Sequence, residues 1–254
     1  MTQVWVDSLA SVIIVSLLSL LGLTFLSLDA GVLKRLVMVL VSLAVGALFG
    51  DALIHLLPEA YHLFNNDLTV AYLTLAGFMI FFLVEKYLHW HYYSEDKDNS
   101  IHHHIHPVGY INLSADSLHN FVDGVVIGTS YLISIPLGIA TTIAVVLHEI
   151  PHEVGNFGVL INAGFTRKRA LLLNFFTALT AILGTVLALT FGSRISILNN
   201  IALPITAGGF IYIAGVDLLP ELHKDNRPAH SLIQFLAILA GLAMMVWVKL
   251  HGGG

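Results

Sequence analysis

Apolar runs of roughly membrane-spanning length, parted by short polar stretches, fill this chain from end to end, at 8–28, 34–57, 69–89, 108–133, 137–162, 168–191, 201–220 and 230–250. A helix needs about 20 apolar residues to cross a hydrocarbon core, and a backbone in lipid must satisfy its own N–H and C=O groups. The pattern predicts an all-α polytopic membrane protein with eight transmembrane helices. Its connections are too short for a separate soluble domain, so residues 1–254 read as a single transmembrane domain. The first run lacks a basic leader, follows Asp7 and is long for a signal-peptide core, so it reads as a retained helix. Composition agrees: 57% of residues are hydrophobic, 11% are charged and mean hydropathy is +0.85, whereas soluble chains are about a quarter charged.

Two runs break their own pattern. The fourth carries His119-Asn120-Phe121-Val122-Asp123-Gly124 and the fifth His148-Glu149-Ile150-Pro151-His152-Glu153. Ionisable groups at bilayer depth are rare and mark ion paths. Residues three and four apart share a helix face, so His119 converges with Asp123, and Asn120 lies about 100° round the axis. On the fifth helix His148 pairs with His152 and Glu149 with Glu153, and Glu149 with His152 joins the two pairs. With the helices side by side, one metal fits among His119, Asp123, His148 and His152, and a second among Asn120, Glu149 and neighbours, with His152 or Glu149 close to both. The plainer alternative is a polar network knitting helices together. It is disfavoured because each unpaired buried ionisable group costs several kcal/mol. Pro151 removes a backbone N–H and frees the Leu147 carbonyl, a break tolerated in lipid beside other partners or a wet cavity. With no cysteine in the chain, nitrogen and oxygen are the available donors, which suits Zn²⁺, Fe²⁺, Mn²⁺ or Co²⁺ better than Cu(I).

Eleven basic residues set the orientation. Lys34, Arg35, Lys86, Lys97, Arg167, Lys168, Arg169, Lys224 and Arg227 fall on one side of the predicted bilayer, with Arg194 and Lys249 on the other. The positive-inside rule then puts both termini on the non-cytoplasmic side, and a plasma (inner) membrane is the expected location. Leu-Leu-Pro-Glu ends both the second and the seventh helices, at opposite faces in this orientation. That suggests helices 1–3 and 6–8 as an inverted repeat around helices 4 and 5, a 3+2+3 plan. Asp51, His55 and Glu59 stripe the second helix, and Asp217 and Glu221 the seventh; with Glu153 they are candidate pathway residues. Glu85 reads as a helix-end ion pair with Lys86 and His89. The polar stretch 92–106 reads as a His-rich cytoplasmic loop whose His102, His103, His104 and His106 collect metal.

HNFVDG with HEIPHEVGNFGVL resembles the signature of the ZIP (Zrt/Irt-like protein) divalent metal transporters, in the branch with HExPHE on its fifth helix. GDALIHLLPEA and GVDLLPEL on the second and seventh helices resemble the same branch. The resemblance implies import of a divalent metal into the cytoplasm, usually zinc, through a binuclear centre on His119, Asn120, Asp123, His148, Glu149 and His152. The chain departs from the branch in having Asn156 where an acid is common, and in having no carboxylate on its sixth helix, used by some members. Both departures bear on the second metal position. The rival reading is an intramembrane zinc metalloprotease, because His148-Glu149-Ile-Pro-His152 also fits H-E-x-x-H. Expected partners are therefore divalent metal ions, with Zn²⁺ as transported substrate, and the lipid bilayer. No enzyme activity and no nucleic acid are expected, and a homodimer is a candidate assembly.

If the loop histidines only collect metal, replacing His102, His103, His104 and His106 by serine changes the rate of uptake into vesicles but leaves uptake measurable. Complete loss would place them in the obligatory path.

Overall fold

The computed structural model describes residues 2–21, 29–65, 67–95, 107–192, 196–224 and 227–251, and every element among them is helical. Helix α1 is Thr2–Leu18, followed by a 3₁₀ turn, Ser19–Leu21. Helix α2 is a rod in three parts: Ala30–Gly50, a π-helical stretch Asp51–Leu56, and Leu57–Leu63. Then come α3, Thr69–Glu95, α4, Pro107–Ile133, and α5, Ile135–Asn162. Helix α6 has two parts, Arg167–Ala178 and Thr180–Gly192. Helix α7 repeats the plan of α2, with Ser196–Tyr212, π-helical Ile213–Leu218 and Leu219–Leu222, and α8 is Pro228–His251.

Seven of these rods are long and apolar enough to cross a membrane. The remaining one, α4, is 27 residues long, and it is less apolar because it carries Asp116, His119, Asn120 and Asp123. Helix α3 runs on through Glu95, so Tyr92–Glu95 are helical rather than part of a loop; no glycine or proline breaks the chain there. The rest of that expected loop, with His102, His103, His104 and His106, lies outside the described residues.

Local chemistry sets the helix ends. Asp29 accepts from the Gly31 N–H at 2.8 Å to start α2, and Ser134 and Thr166 accept from Leu137 and Arg169, both at 3.3 Å, to start α5 and α6. At the end of α5, the N–H groups of Ala163 and Phe165 close back on Val159 and Leu160 at 2.8 and 3.1 Å. Gly164 makes that closure at φ 93°, a backbone conformation open to glycine.

Helix α2 packs on α8, α3 on α7, and α4 on both α5 and the second half of α6. Glycines let these backbones touch. A Cβ on Gly46 would stand 2.1 Å from the Ile238 carbonyl oxygen of α8, and one on Gly241 would stand 2.3 Å from that of Leu43. The α3–α7 crossing repeats this, with Gly208 at 2.0 Å from the Thr74 oxygen and Gly77 at 2.1 Å from that of Ile205. The two crossings correspond residue by residue. Positions 43, 46, 51 and 58 of α2 match 205, 208, 213 and 220 of α7, each 162 apart, and 74 and 77 of α3 match 238 and 241 of α8, each 164 apart. The π stretches start at the matched positions 51 and 213.

Gly46→Ala therefore forces two backbones apart and is expected to destabilise the protein by about 1–3 kcal/mol. Gly158→Ala on α5 meets nothing within 4 Å and is expected to be neutral or to stabilise by about 0.5–1 kcal/mol. Thermal melts in detergent check both; equal behaviour of the two variants would contradict the packing argument.

Candidate metal centre

Helices α4 and α5 bring four side chains to one point. His119, Asp123, His148 and Glu149 each place a donor atom within 4.8 Å of the other three. His119 Nε2 lies 3.3 Å from His148 Nε2, 3.1 Å from Glu149 Oε1 and 3.8 Å from Asp123 Oδ2. His148 Nε2 lies 3.2 Å from Asp123 Oδ2 and 3.4 Å from Glu149 Oε1. Nitrogen and oxygen ligands about 2.1 Å from a tetrahedral zinc are about 3.4 Å apart. Five edges of the donor set, from 3.1 to 3.8 Å, therefore outline a cage of that size.

The groups around the cage orient it. His148 Nδ1 is 3.2 Å from the Ala144 carbonyl; donation there leaves the Nε2 lone pair facing the centre. Asp123 Oδ2 and both Glu149 oxygens are buried without a hydrogen-bond partner. Two carboxylates held that way in a low-dielectric interior are compensated by a cation.

His152 stands outside the tight set, whose fourth donor is Glu149. The His152 ring stacks on His119, with centroids 4.4 Å apart, and its Nδ1 is 3.7 Å from Glu149 Oε1 and 3.6 Å from Asp116 Oδ1. It lies one turn along α5 from His148, and Asp116 lies about one turn before His119 on α4. The His152 side chain is 31% exposed, whereas that of His148 is 1% exposed.

Asp116 is a buried residue that the sequence reading passed over, although an aspartate about one turn before His119 in a membrane helix was a legible signal. It accepts from the side chains of Asn156 on α5 and Thr177 on α6, and from Asn120 Nδ2 at 3.2 Å. Asn156 also lies 3.3 Å from His152 Nδ1 and accepts from Asn112 at 3.3 Å. Glu153 is buried and accepts from Asn174 of α6. Where a helix-6 carboxylate was absent from the sequence, Asn174 and Thr177 instead donate to carboxylates from the neighbouring helices.

The remaining polar residues separate into other places. Asp51 and His55 are buried in the π stretch of α2, 3.2 Å apart, with the Thr141 hydroxyl donating to Asp51 at 3.0 Å. Glu59 is half-buried. Asp217 lies within hydrogen-bonding reach of Glu85, which accepts from Tyr212. Glu85 thus forms no ion pair with Lys86, because α3 packs on α7 and presents Glu85 to Tyr212; the His89 side chain lies outside the described residues. Glu221 pairs with Lys224 at 2.5 Å. Beside it a cavity of about 560 Å³ runs between α2, α5, α7 and α8, with His152, Pro151 and Gly155 in its wall.

The family model described as ZIP zinc transporter matches residues 2–109 and 94–249. The chain is similar to zinc transporter ZIP13 of Pongo abelii, 34% identical over 97% of this chain and 79% of that protein. It is also similar to zinc transporter SLC39A7 of Rattus norvegicus, 46% identical over 55% of this chain and 31% of that longer protein. Zinc transporter zipt-7.2 of Caenorhabditis elegans is 30% identical over 98% of this chain and 66% of its own length.

Asp116→Asn keeps the shape of the side chain but removes the acceptor charge that orders Asn156, Asn120 and His152. Zinc affinity in detergent, measured against a competing chelator, is expected to fall about 10- to 100-fold. Unchanged affinity would show that Asp116 does not support the centre.

Proposed function

We propose, on the premise that this chain belongs to the ZIP zinc transporter family, that the cage of His119, Asp123, His148 and Glu149 holds the divalent cation in transit and that zinc is its main cargo. The chain is a transporter and not an enzyme. The observation that carries the assignment is the set of donor separations, 3.1–3.8 Å, matching the edges of a zinc tetrahedron in a buried site. Two imidazoles and two carboxylates also balance a divalent charge, so the loaded centre is neutral where dielectric screening is weak. The same donors accept Fe²⁺, Mn²⁺ or Co²⁺ less selectively.

His152 is the next station. It touches the cage through Glu149 and faces the cavity that opens beside the basic starts of α2 and α8. By the positive-inside rule that face is cytoplasmic, both termini lie outside, and the direction of transport is inward. Asp51, His55 and Glu59 then belong to the outer half of the route, and Glu221 and Asp217 to the inner half. The matched glycine crossings and matched π stretches support a 3+2+3 inverted repeat of eight helices, with α4 and α5 carrying the ligands between the two halves. Asn120 and His152, with Asp116 behind them, form the second metal position.

Radioactive zinc uptake into proteoliposomes tests this reading through Glu149. In an H-E-x-x-H protease this carboxylate activates water and does not ligate zinc. In the transporter it supplies one of the two charges that offset the cation's lost hydration. Glu149→Gln is expected to weaken zinc binding and to reduce uptake at least tenfold, with His148→Ala abolishing uptake. Wild-type affinity and uptake in both variants would remove the cage from the transport path.

A further inference from the structure

The cavity below His152 is an unusual exit for a cation. Lys34 and Arg35 from α2, with Lys224, Arg227 and His230 near the start of α8, line it. Glu221 is the only acid among its lining residues, and it is already joined to Lys224 at 2.5 Å. No ion pair joins Lys34 or Arg35 among the described residues. The first turn of α8 has no acidic residue, so the positive end of its dipole adds to this field, whereas Asp29 already caps the start of α2. Deeper in, the wall is apolar: Val37, Val41 and Leu218 face the space, and a Cβ on Gly155 would meet nothing within 4 Å. A volume of about 560 Å³ with a cationic mouth and an apolar throat suits an anionic amphiphile better than a hydrated metal ion.

We propose that this vestibule is a binding site for an anionic phospholipid, with the phosphate headgroup among Lys34, Arg35 and Lys224 and an acyl chain lying along Val37, Val41 and Leu218 toward His152. A free phosphate would satisfy the mouth and leave the apolar throat unfilled. A zwitterionic lipid would fill the throat without the net charge that the mouth complements. The basic face of the protein is also the one that meets the anionic leaflet in the orientation above, where each basic residue contributes to lipid attraction. A seated chain narrows the passage between His152 and the aqueous face, so occupancy acts as a brake on metal movement through it.

The test measures lipid binding, and so stands apart from the transport reading. The full chain in detergent is titrated with phosphatidylglycerol or phosphatidylcholine, and bound lipid is counted by native mass spectrometry. The wild type is expected to prefer phosphatidylglycerol, and Lys34→Gln with Arg35→Gln to lower that affinity at least about tenfold and abolish the preference. Zinc affinity, unchanged in that double variant, shows that it is folded. Gly155→Leu fills the throat with the basic mouth intact and is expected to weaken phosphatidylglycerol binding as well. Arg167→Gln with Lys168→Gln, on α6 outside the vestibule, serves as the control and is expected to bind like the wild type. Equal affinity for the two lipids, an equal loss in the control pair, or displacement of the lipid by millimolar inorganic phosphate would each overturn the proposal.

Discussion

Two carboxylates buried side by side and faced by two imidazoles constrain the rest of this molecule. Asp123 and Glu149 lie inside a helical bundle where screening is weak; Asp123 Oδ2 and both Glu149 oxygens make no hydrogen bond among the described residues, although the His148 and His119 nitrogens stand 3.2 and 3.1 Å away. Such charges are tolerated where a cation visits and where the surrounding donors are already committed elsewhere. The committed donors are present: His148 Nδ1 is held at the Ala144 carbonyl, and Asn120, Asn156 and Thr177 are all turned to Asp116. The cage is therefore left with lone pairs facing inward.

Positioning that cage requires close backbone packing, and glycine supplies it. Gly124 and Gly184 put α4 and α6 in reciprocal contact, with a Cβ on either standing 1.9 or 2.1 Å from the partner helix's carbonyl oxygen. Equivalent pairs fasten α2 to α8 and α3 to α7. Between these rigid crossings the π stretches of α2 and α7 rotate the chain locally, and in α2 this stretch buries Asp51 and His55 against Thr141 of α5. Rigid crossings and local π turns thus belong to one arrangement, which brings polar groups of neighbouring helices together at a few buried points.

Much of this was legible in the linear chain. The i, i+4 spacing of His119 with Asp123 and the adjacency of His148 and Glu149 carry the cage, because a helix makes its own faces whatever it packs on. The paired Leu-Leu-Pro-Glu strings carried the correspondence between α2 and α7, and the structure adds matched glycines that no short motif advertised. What escaped depended on the neighbouring helix. That Glu149 rather than His152 completes the tight donor set is tied to Asp116 across from His152, a residue on the neighbouring helix. Glu85 was assigned to neighbours on its own helix, whereas consecutive positions diverge by about 100° and its partner Tyr212 comes from α7. The sixth helix shows no carboxylate in the sequence, and the role of its Asn174 and Thr177 as donors to Glu153 and Asp116 depends on how α6 sits against α4 and α5.

The central claim is that the cargo ion is held by two imidazoles and two carboxylates at once. Zinc K-edge X-ray absorption of the protein loaded with one equivalent of zinc addresses it directly. The account predicts four nitrogen or oxygen neighbours at about 2.0–2.1 Å, with the outer-shell scattering of two imidazole rings, lost in a His119→Ala, His148→Ala double variant. Six oxygen neighbours without imidazole scattering, or a spectrum unchanged in that variant, would contradict it.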